Sequence, residues 1–400
     1  MDMNKLKYFS IILLFVLSAC GGGSGGIGPE PQRGELVSAT DKSSYSAGII
    51  NAGLTVGFPS AKYNARTIKI VYKTTDTDGN IIDASGLLAV PVKESGSASP
   101  LLVYHHGTIF QNEHAPTNNT ALGFYGAYFA SQDYIVLGPD YIGYGESAAL
   151  LHPYLHANSL ATTTVDMLRA VKEYLQQQNI PVQDKLFLTG YSEGGYAALA
   201  AHKVIEANYA DEFTVTASVP GAGPYDMTAT LNNYLLDGST INLPGIMFAF
   251  AAYDSIYDMN RLTEFFQPPY DELAATAFMG ATTETEILAQ LAGVMEIADL
   301  FTSSFLTAYA TDDGEAFLKA RVIENNIYDW KPVAPIRFFH GSNDDVVQIR
   351  NSEIAVSAMQ ARSVGDDVDV FLQTCAEPSN AHLTCINAYT LYMLLTFAGY

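Results

Sequence analysis

Lys185-Leu186-Phe187-Leu188-Thr189-Gly190-Tyr191-Ser192-Glu193-Gly194-Gly195-Tyr196-Ala197-Ala198-Leu199-Ala200-Ala201 begins as an apolar, buried-strand run and ends as an Ala-rich, helix-forming one. Between the two lies Gly190-Tyr191-Ser192-Glu193-Gly194, a Gly-x-Ser-x-Gly spacing. A strand that turns directly into a helix brings the backbone so close to itself that side chains two positions either side of the serine would collide. Small residues stand at both places here. The turn lifts one hydroxyl, that of Ser192, above the carboxyl end of a strand, and Ser192 is the candidate nucleophile.

Outward from that turn the chain alternates. Arg66–Thr75 and Ile81–Val92 are β-rich and joined by Asp76-Thr77-Asp78-Gly79-Asn80, a hairpin signal. The acids of that turn lack the Glu at the twelfth position of a calcium loop, so a plain turn is expected. Leu101-Leu102-Val103-Tyr104 and Tyr134-Ile135-Val136-Leu137 read as buried strands, Ala161–Gln178 as a helix with Val165, Leu168, Val171 and Leu175 on one face, and Thr214–Val219 as a further strand. The pattern resumes with a strand at Pro335–Phe339, a helix near Ser352–Ala361, a strand at Val368–Gln373 and a helix over Cys385–Phe397. Strands alternating with helices predict an α/β fold, a mostly parallel central sheet flanked by helices. Between 224 and 331 the alternation gives way to Ala-, Met-, Phe- and Tyr-rich sequence with few strand signals, read as a helical cap insertion. It divides a core of residues 35–223 and 332–400.

A serine hydroxyl needs a base, and the base needs an orienting acid. His340-Gly341-Ser342-Asn343-Asp344-Asp345 follows a strand and offers Asp344, with Asp345 as its rival. His382, in the loop before the last helix, is the candidate base. His105, His106, His114, His152, His156, His202 and His340 are read as core or surface residues. For the oxyanion of an acyl-transfer intermediate, one donor is expected from the N–H of Glu193, at the start of a helix. The other is expected from the N–H of Thr108 in His106-Gly107-Thr108. The Glu193 side chain is expected to face the cap. No metal site is expected.

The order Ser192…Asp344…His382 resembles that of the α/β-hydrolase superfamily. Within it the chain resembles bacterial relatives of the secretory lipases. Tyr104-His105-His106-Gly107-Thr108, Gly138-Pro139-Asp140-Tyr141-Ile142-Gly143-Tyr144-Gly145, Gly190-Tyr191-Ser192-Glu193-Gly194-Gly195 and Tyr328-Asp329-Trp330-Lys331-Pro332 carry that likeness. Glu193 departs from it, since relatives often have Gln there. The resemblance implies an α/β-hydrolase fold and a serine esterase or lipase without a cofactor. A peptidase or acyltransferase on the same core, and a catalytically silent surface-binding protein, are the alternatives. The intact serine, acid, histidine and His-Gly-Thr loop argue against the silent form.

Composition narrows the partners. Twenty Lys and Arg against 42 Asp and Glu give a net charge of −22, which repels phosphate backbones and excludes nucleic acid as a partner. Lys5 and Lys7 precede the apolar run Tyr8–Leu17, a signal-peptide pattern too short to span a bilayer comfortably. Leu17-Ser18-Ala19-Cys20 resembles the lipobox of bacterial lipoproteins, which implies a signal peptide over 1–19, a lipid on Cys20 and a membrane anchor in the outer membrane. A Gly-rich tether then covers 20–34. The two other cysteines, Cys375 and Cys385, bracket His382 and are a candidate disulfide in an exported chain.

Overall fold

The computed structural model describes residues 32–94, 96–237, 242–365, 369–375 and 381–400. The signal-peptide and Cys20 expectations, with most of the tether, lie outside the described residues. The strands are β1 (Leu36–Tyr45), β2 (Asn64–Thr75), β3 (Ile81–Val92), β4 (Ser99–His105), β5 (Ile135–Pro139), β6 (Val182–Tyr191), β7 (Val215–Gly221), β8 (Ile336–Gly341) and β9 (Val370–Cys375). They form one sheet in the order β1-β2-β3-β5-β4-β6-β7-β8-β9. The first three and β5 pair antiparallel, and β5-β4-β6-β7-β8-β9 pair parallel. This is the mostly parallel α/β-hydrolase sheet, extended by an antiparallel edge.

Both faces of the parallel part are covered, which is why its strands are apolar runs rather than alternations. Side chains of β4 part to opposite faces. Leu101 and Val103 belong to one apolar cluster with Val165 and Leu168 of α3 (Ala157–Gln177), while Leu102 belongs to another with Phe129 of α2 (Thr120–Ser131) and Met393 of the last helix (Ile386–Phe397). The helix α4 (Glu193–Asn208) leaves the sheet directly at Ser192. The elements that escaped the sequence reading include the short helix α1 (Ala47–Gly53), the edge strand β1 and the helix α2. The edge strand β1, Leu-Val-Ser-Ala-Thr-Asp-Lys-Ser-Ser-Tyr, is exposed along most of its length, so no buried face writes a period into it. Its order comes from its ladder with β2, and its polar, charged side chains suit an open edge. The helix α2 is almost uniformly apolar, so no amphipathic period marks it.

Between β7 and β8 the chain is helical: α5 (Met227–Asn232), α6 (Leu243–Ile256), α7 (Leu262–Phe265), α8 (Tyr270–Thr276), α9 (Glu284–Gln290), α10 (Ile297–Leu300), α11 (Ser303–Tyr309) and α12 (Ala316–Glu324). These short helices share an aromatic core. The Phe250 ring lies 5.2 Å from Phe265, 4.9 Å from Phe301 and 5.5 Å from Phe305. From the same helix, Phe248 stacks on Tyr154 of the sheet domain at 4.6 Å and 3°. The insertion is thereby seated over the end of the sheet that carries Ser192.

Candidate active site

The turn at Ser192 is held in a conformation that few non-glycine residues adopt, φ 61° and ψ −126°. Such a geometry costs about 1–3 kcal/mol and persists only where its surroundings fix it. Ser192 N–H donates to Gly221 O (2.9 Å), and Tyr196 N–H donates to Ser192 O (3.1 Å). The Tyr389 hydroxyl accepts from Gly190 N–H at 2.8 Å. A Cβ on Gly190 would overlap the Gly194 carbonyl, and one on Gly194 would overlap the carbonyl of His105. Both glycines are therefore required by close approach.

Asp344 lies just past β8, its side chain fully buried. Its Oδ1 accepts from the N–H groups of Val346 (2.9 Å) and Val347 (2.8 Å), and its Oδ2 meets His382 Nδ1 at 2.6 Å. Burial pushes the Asp344 carboxyl up, but hydrogen bonds from His340 and His382 outweigh it and hold the group well below the ordinary carboxylate range. An ionised Asp344 can only accept, so His382 donates through Nδ1 and its Nε2 is the basic nitrogen. Asp345, the rival acid, instead accepts from the backbone N–H of His382 at 3.1 Å. The neighbour of the nucleophile completes the enclosure: the Tyr191 ring lies 5.1 Å from that of His382, and its hydroxyl donates to His382 O at 2.8 Å.

Sequence reasoning missed His340. Its Nδ1 bonds the Ser352 hydroxyl (2.7 Å), and its Nε2 lies 2.8 Å from Val347 O and 3.3 Å from Asp344 Oδ2. It supports the acid from behind. Only its place four residues before Asp344, at the end of a strand, hinted at this.

The oxyanion candidates sit on two elements. Glu193 opens α4, and the Thr108 hydroxyl is bonded to the Tyr154 hydroxyl at 2.9 Å. The Glu193 carboxylate lies where the sheet domain meets the insertion, beside a ring that packs on Phe248, but its partner belongs to the sheet domain. The carboxylate is buried against that partner, His152, with Oε1 2.7 Å from Nε2, because burial so near the sheet needs a polar partner. An apolar pocket opens at Ser192, lined also by Met227, Leu231, Ile246 and Ala249 of the insertion, with about 50 Å³ free. Through Thr230, Tyr234, Val346 and Val347 it adjoins a cavity of about 410 Å³ lined by Asp226, Thr228, Asn232 and Arg350. Cys375 and Cys385 are joined in a disulfide, with Cα atoms 6.0 Å apart. Among the described residues no group of three or more His, Cys, Asp or Glu side chains could hold a metal ion. None of the described helices is long and apolar enough to cross a membrane.

A search of curated proteins finds no match. Solved structures do match. The rice cell wall degrading esterase LipA from Xanthomonas oryzae superposes with TM-score 0.82 at 28% identity, over 92% of this chain and 99% of that one. A Legionella pneumophila protein does so with TM-score 0.80 at 26% identity, over 91% and 98%. Candida antarctica lipase A, at 17% identity and TM-score 0.60 over 88% and 78%, shares the fold. The family model for secretory lipases matches residues 127–382, a span that runs from α2 to the loop histidine and takes in the elbow, the insertion and the acid. With a lipase and esterase fold over nearly its whole described length, this ester-bond hydrolase belongs to the secretory lipase family.

Proposed function

We propose that the chain is an exported serine carboxylic-ester hydrolase acting through Ser192, His382 and Asp344. His382 Nε2 takes the Ser192 proton as Oγ attacks the acyl carbonyl, and returns it to the leaving alkoxide. The acyl-enzyme is then opened by a water that His382 deprotonates in turn, releasing the acid and restoring Ser192. The N–H groups of Glu193 and Thr108 stabilise the oxyanion of both steps. The observation that carries this reading is the 2.6 Å bond between His382 Nδ1 and a doubly supported Asp344, with Tyr191, the neighbour of a serine at positive φ, packed on the His382 ring.

The substrate follows from the two adjoining spaces. The small apolar pocket at Ser192 suits a short acyl group, and the larger cavity, rich in carboxylate, hydroxyl and amide groups, suits a polar alcohol part. That LipA degrades rice cell wall as an esterase supports an ester of this kind. Kinetics on p-nitrophenyl esters, with wild type beside Ser192→Ala, test the reading. Each buried methylene contributes about 0.8 kcal/mol, so kcat/KM should rise roughly tenfold from acetyl to butyryl and then level off. Ser192→Ala should lose many orders of magnitude while folding is kept. A variant with a tenth of wild-type kcat would remove Ser192 as nucleophile, and a flat profile would remove the apolar acyl pocket.

The lipobox-like Leu17-Ser18-Ala19-Cys20 supports lipidation at Cys20 and an outer-membrane anchor. Labelled palmitate should enter the protein in a bacterial host, and labelling that survives Cys20→Ser would exclude that cysteine.

A further inference from the structure

The residue that follows the nucleophile carries a buried carboxylate, in the one place where added negative charge would oppose the oxyanion. The side chains of Glu193 and His152 are each 1% exposed, so solvent does not screen them. The proton count between them is fixed by a third group. His152 Nδ1 lies 2.7 Å from the carbonyl oxygen of Ile142, which can only accept, so Nδ1 carries a proton. His152 Nε2 and Glu193 Oε1 are 2.7 Å apart, too close for two acceptors to face each other bare. One proton must lie between them. Whether it is drawn on the ring or on the carboxyl, the pair carries no net charge.

We infer that Glu193 and His152 share one proton as a neutral positioning pair, which keeps negative charge away from the oxyanion and ties the two halves of its donor set together. This rests on the reading of Ser192 as nucleophile and of the Glu193 and Thr108 N–H groups as the oxyanion donors. The two donor segments are joined by what His152 packs against. Its ring lies 5.7 Å from Tyr141, stacked at 17°, 5.0 Å from Tyr144 and 6.2 Å from Tyr154. Those three hydroxyls all reach the other donor segment: Tyr141 donates to His106 O (3.0 Å), Tyr144 to Ile109 O, and Tyr154 bonds the Thr108 hydroxyl. On its open side the ring meets Phe248 of α6 at 5.8 Å. The neighbouring imidazole of His106 is held below its ordinary pKa by burial, so it is neutral and supplies no counter-charge. The proton on the pair is what balances Glu193.

A double-mutant cycle separates this from a purely structural role. His152→Asn retains a donor for Ile142 O and deletes the partner of Glu193, leaving a bare carboxylate. Its kcat on p-nitrophenyl butyrate should fall on the order of 50-fold, the effect of a like charge a side chain's length away at the effective protein dielectric. KM should stay within about twofold, since the ground-state ester carries no charge. Inactivation by a phosphonate ester, which needs the same donors, should slow in parallel. Glu193→Gln alone should cost a few-fold, because an amide N–H can donate to a neutral His152 ring. Adding Glu193→Gln to His152→Asn should recover most of the loss. Failure of the second substitution to rescue the first, or a His152→Asn enzyme within threefold of wild-type kcat, would overturn the inference. Where His152→Asn does not fold, His152→Gln takes its place in the same cycle. Ser192→Ala is run alongside. Activity in that variant defeats the nucleophile reading itself, whereas a dead Ser192→Ala with no rescue in the cycle defeats the pair alone.

Discussion

Asp344→Asn isolates one atom's contribution, because asparagine preserves everything else that the aspartate does. The retained Oδ1 still accepts from Val346 and Val347 N–H, the two bonds that shape the acid loop, so the loop should stand. What changes is Oδ2, which meets His382 Nδ1 at 2.6 Å and the supporting His340 Nε2 at 3.3 Å. An amide NH2 at that position donates, which requires Nδ1 to accept and drives the ring proton onto Nε2. The nitrogen that should take the Ser192 proton is then already protonated. A wrong tautomer in an otherwise intact triad costs on the order of 10⁴ in kcat, equivalent to about 5.5 kcal/mol of barrier. Asp345→Asn is the internal control. Its Oδ1 accepts from the backbone N–H of His382, and an asparagine oxygen can still do so, so the loss should stay within about tenfold. The assay is kcat on p-nitrophenyl butyrate for both variants, with thermal melts to verify folding. Equal losses, or a larger loss for Asp345→Asn, would refute the assignment of Asp344 as the orienting acid.

Two further outcomes follow from buried groups. Burial lowers the pKa of His105 to about 3 and that of His156 to about 4, so both are neutral in the fold but protonate in the unfolded chain below about 6.5. Their contribution is therefore lost as pH falls, by about 1.4 kcal/mol per pH unit each between roughly pH 6 and 4. Asp344, depressed instead, adds to the acid loss below the ordinary carboxylate pKa. His106, likewise lowered by burial, shares this limb, so urea unfolding against pH should show a steep acid slope that His105→Gln makes shallower by about a third, and an unchanged slope would contradict the buried-neutral assignment. Replacing Cys375 and Cys385 together by alanine should cost about 2–3 kcal/mol of stability on loop-closure arguments. It should also lower kcat more than it raises KM, since the bridge brackets His382; an active-site titration with unaltered kcat would show that the histidine loop does not depend on it.

The parts of the fold legible in the sequence are those in which a local pattern and the tertiary environment make the same demand. The Gly190–Gly194 spacing is legible because two backbones approach there, and only glycine satisfies both. The parallel strands are legible because burial on both faces removes polar residues from them. β1 was not, because its stability lies in a ladder to β2 and its own side chains face solvent. The helix α2 was not, because a helix buried among other apolar groups carries no stripe.

The same rule explains which site residues could be read. Ser192, Asp344 and His382 each follow a strand or precede a helix, and their chain order repeats a known arrangement, so position alone singles them out. His152 belongs to no such frame, and the strand end that carries His340 does not say what its ring touches. Each is identified by what it touches: His152 by a carboxylate 41 residues away, His340 by the back of an acid loop that also carries its other partner, Val347 O. Buried imidazoles are informative only through their two nitrogens, and a sequence gives neither partner. Glu193 shows the consequence. As a letter beside the nucleophile it is a misplaced charge, to be explained away by turning it toward the cap. With His152 Nε2 at 2.7 Å and Ile142 O fixing the proton on the far side of the ring, it becomes half of a neutral pair. The chemistry of that position therefore depends on a proton that neither residue specifies alone.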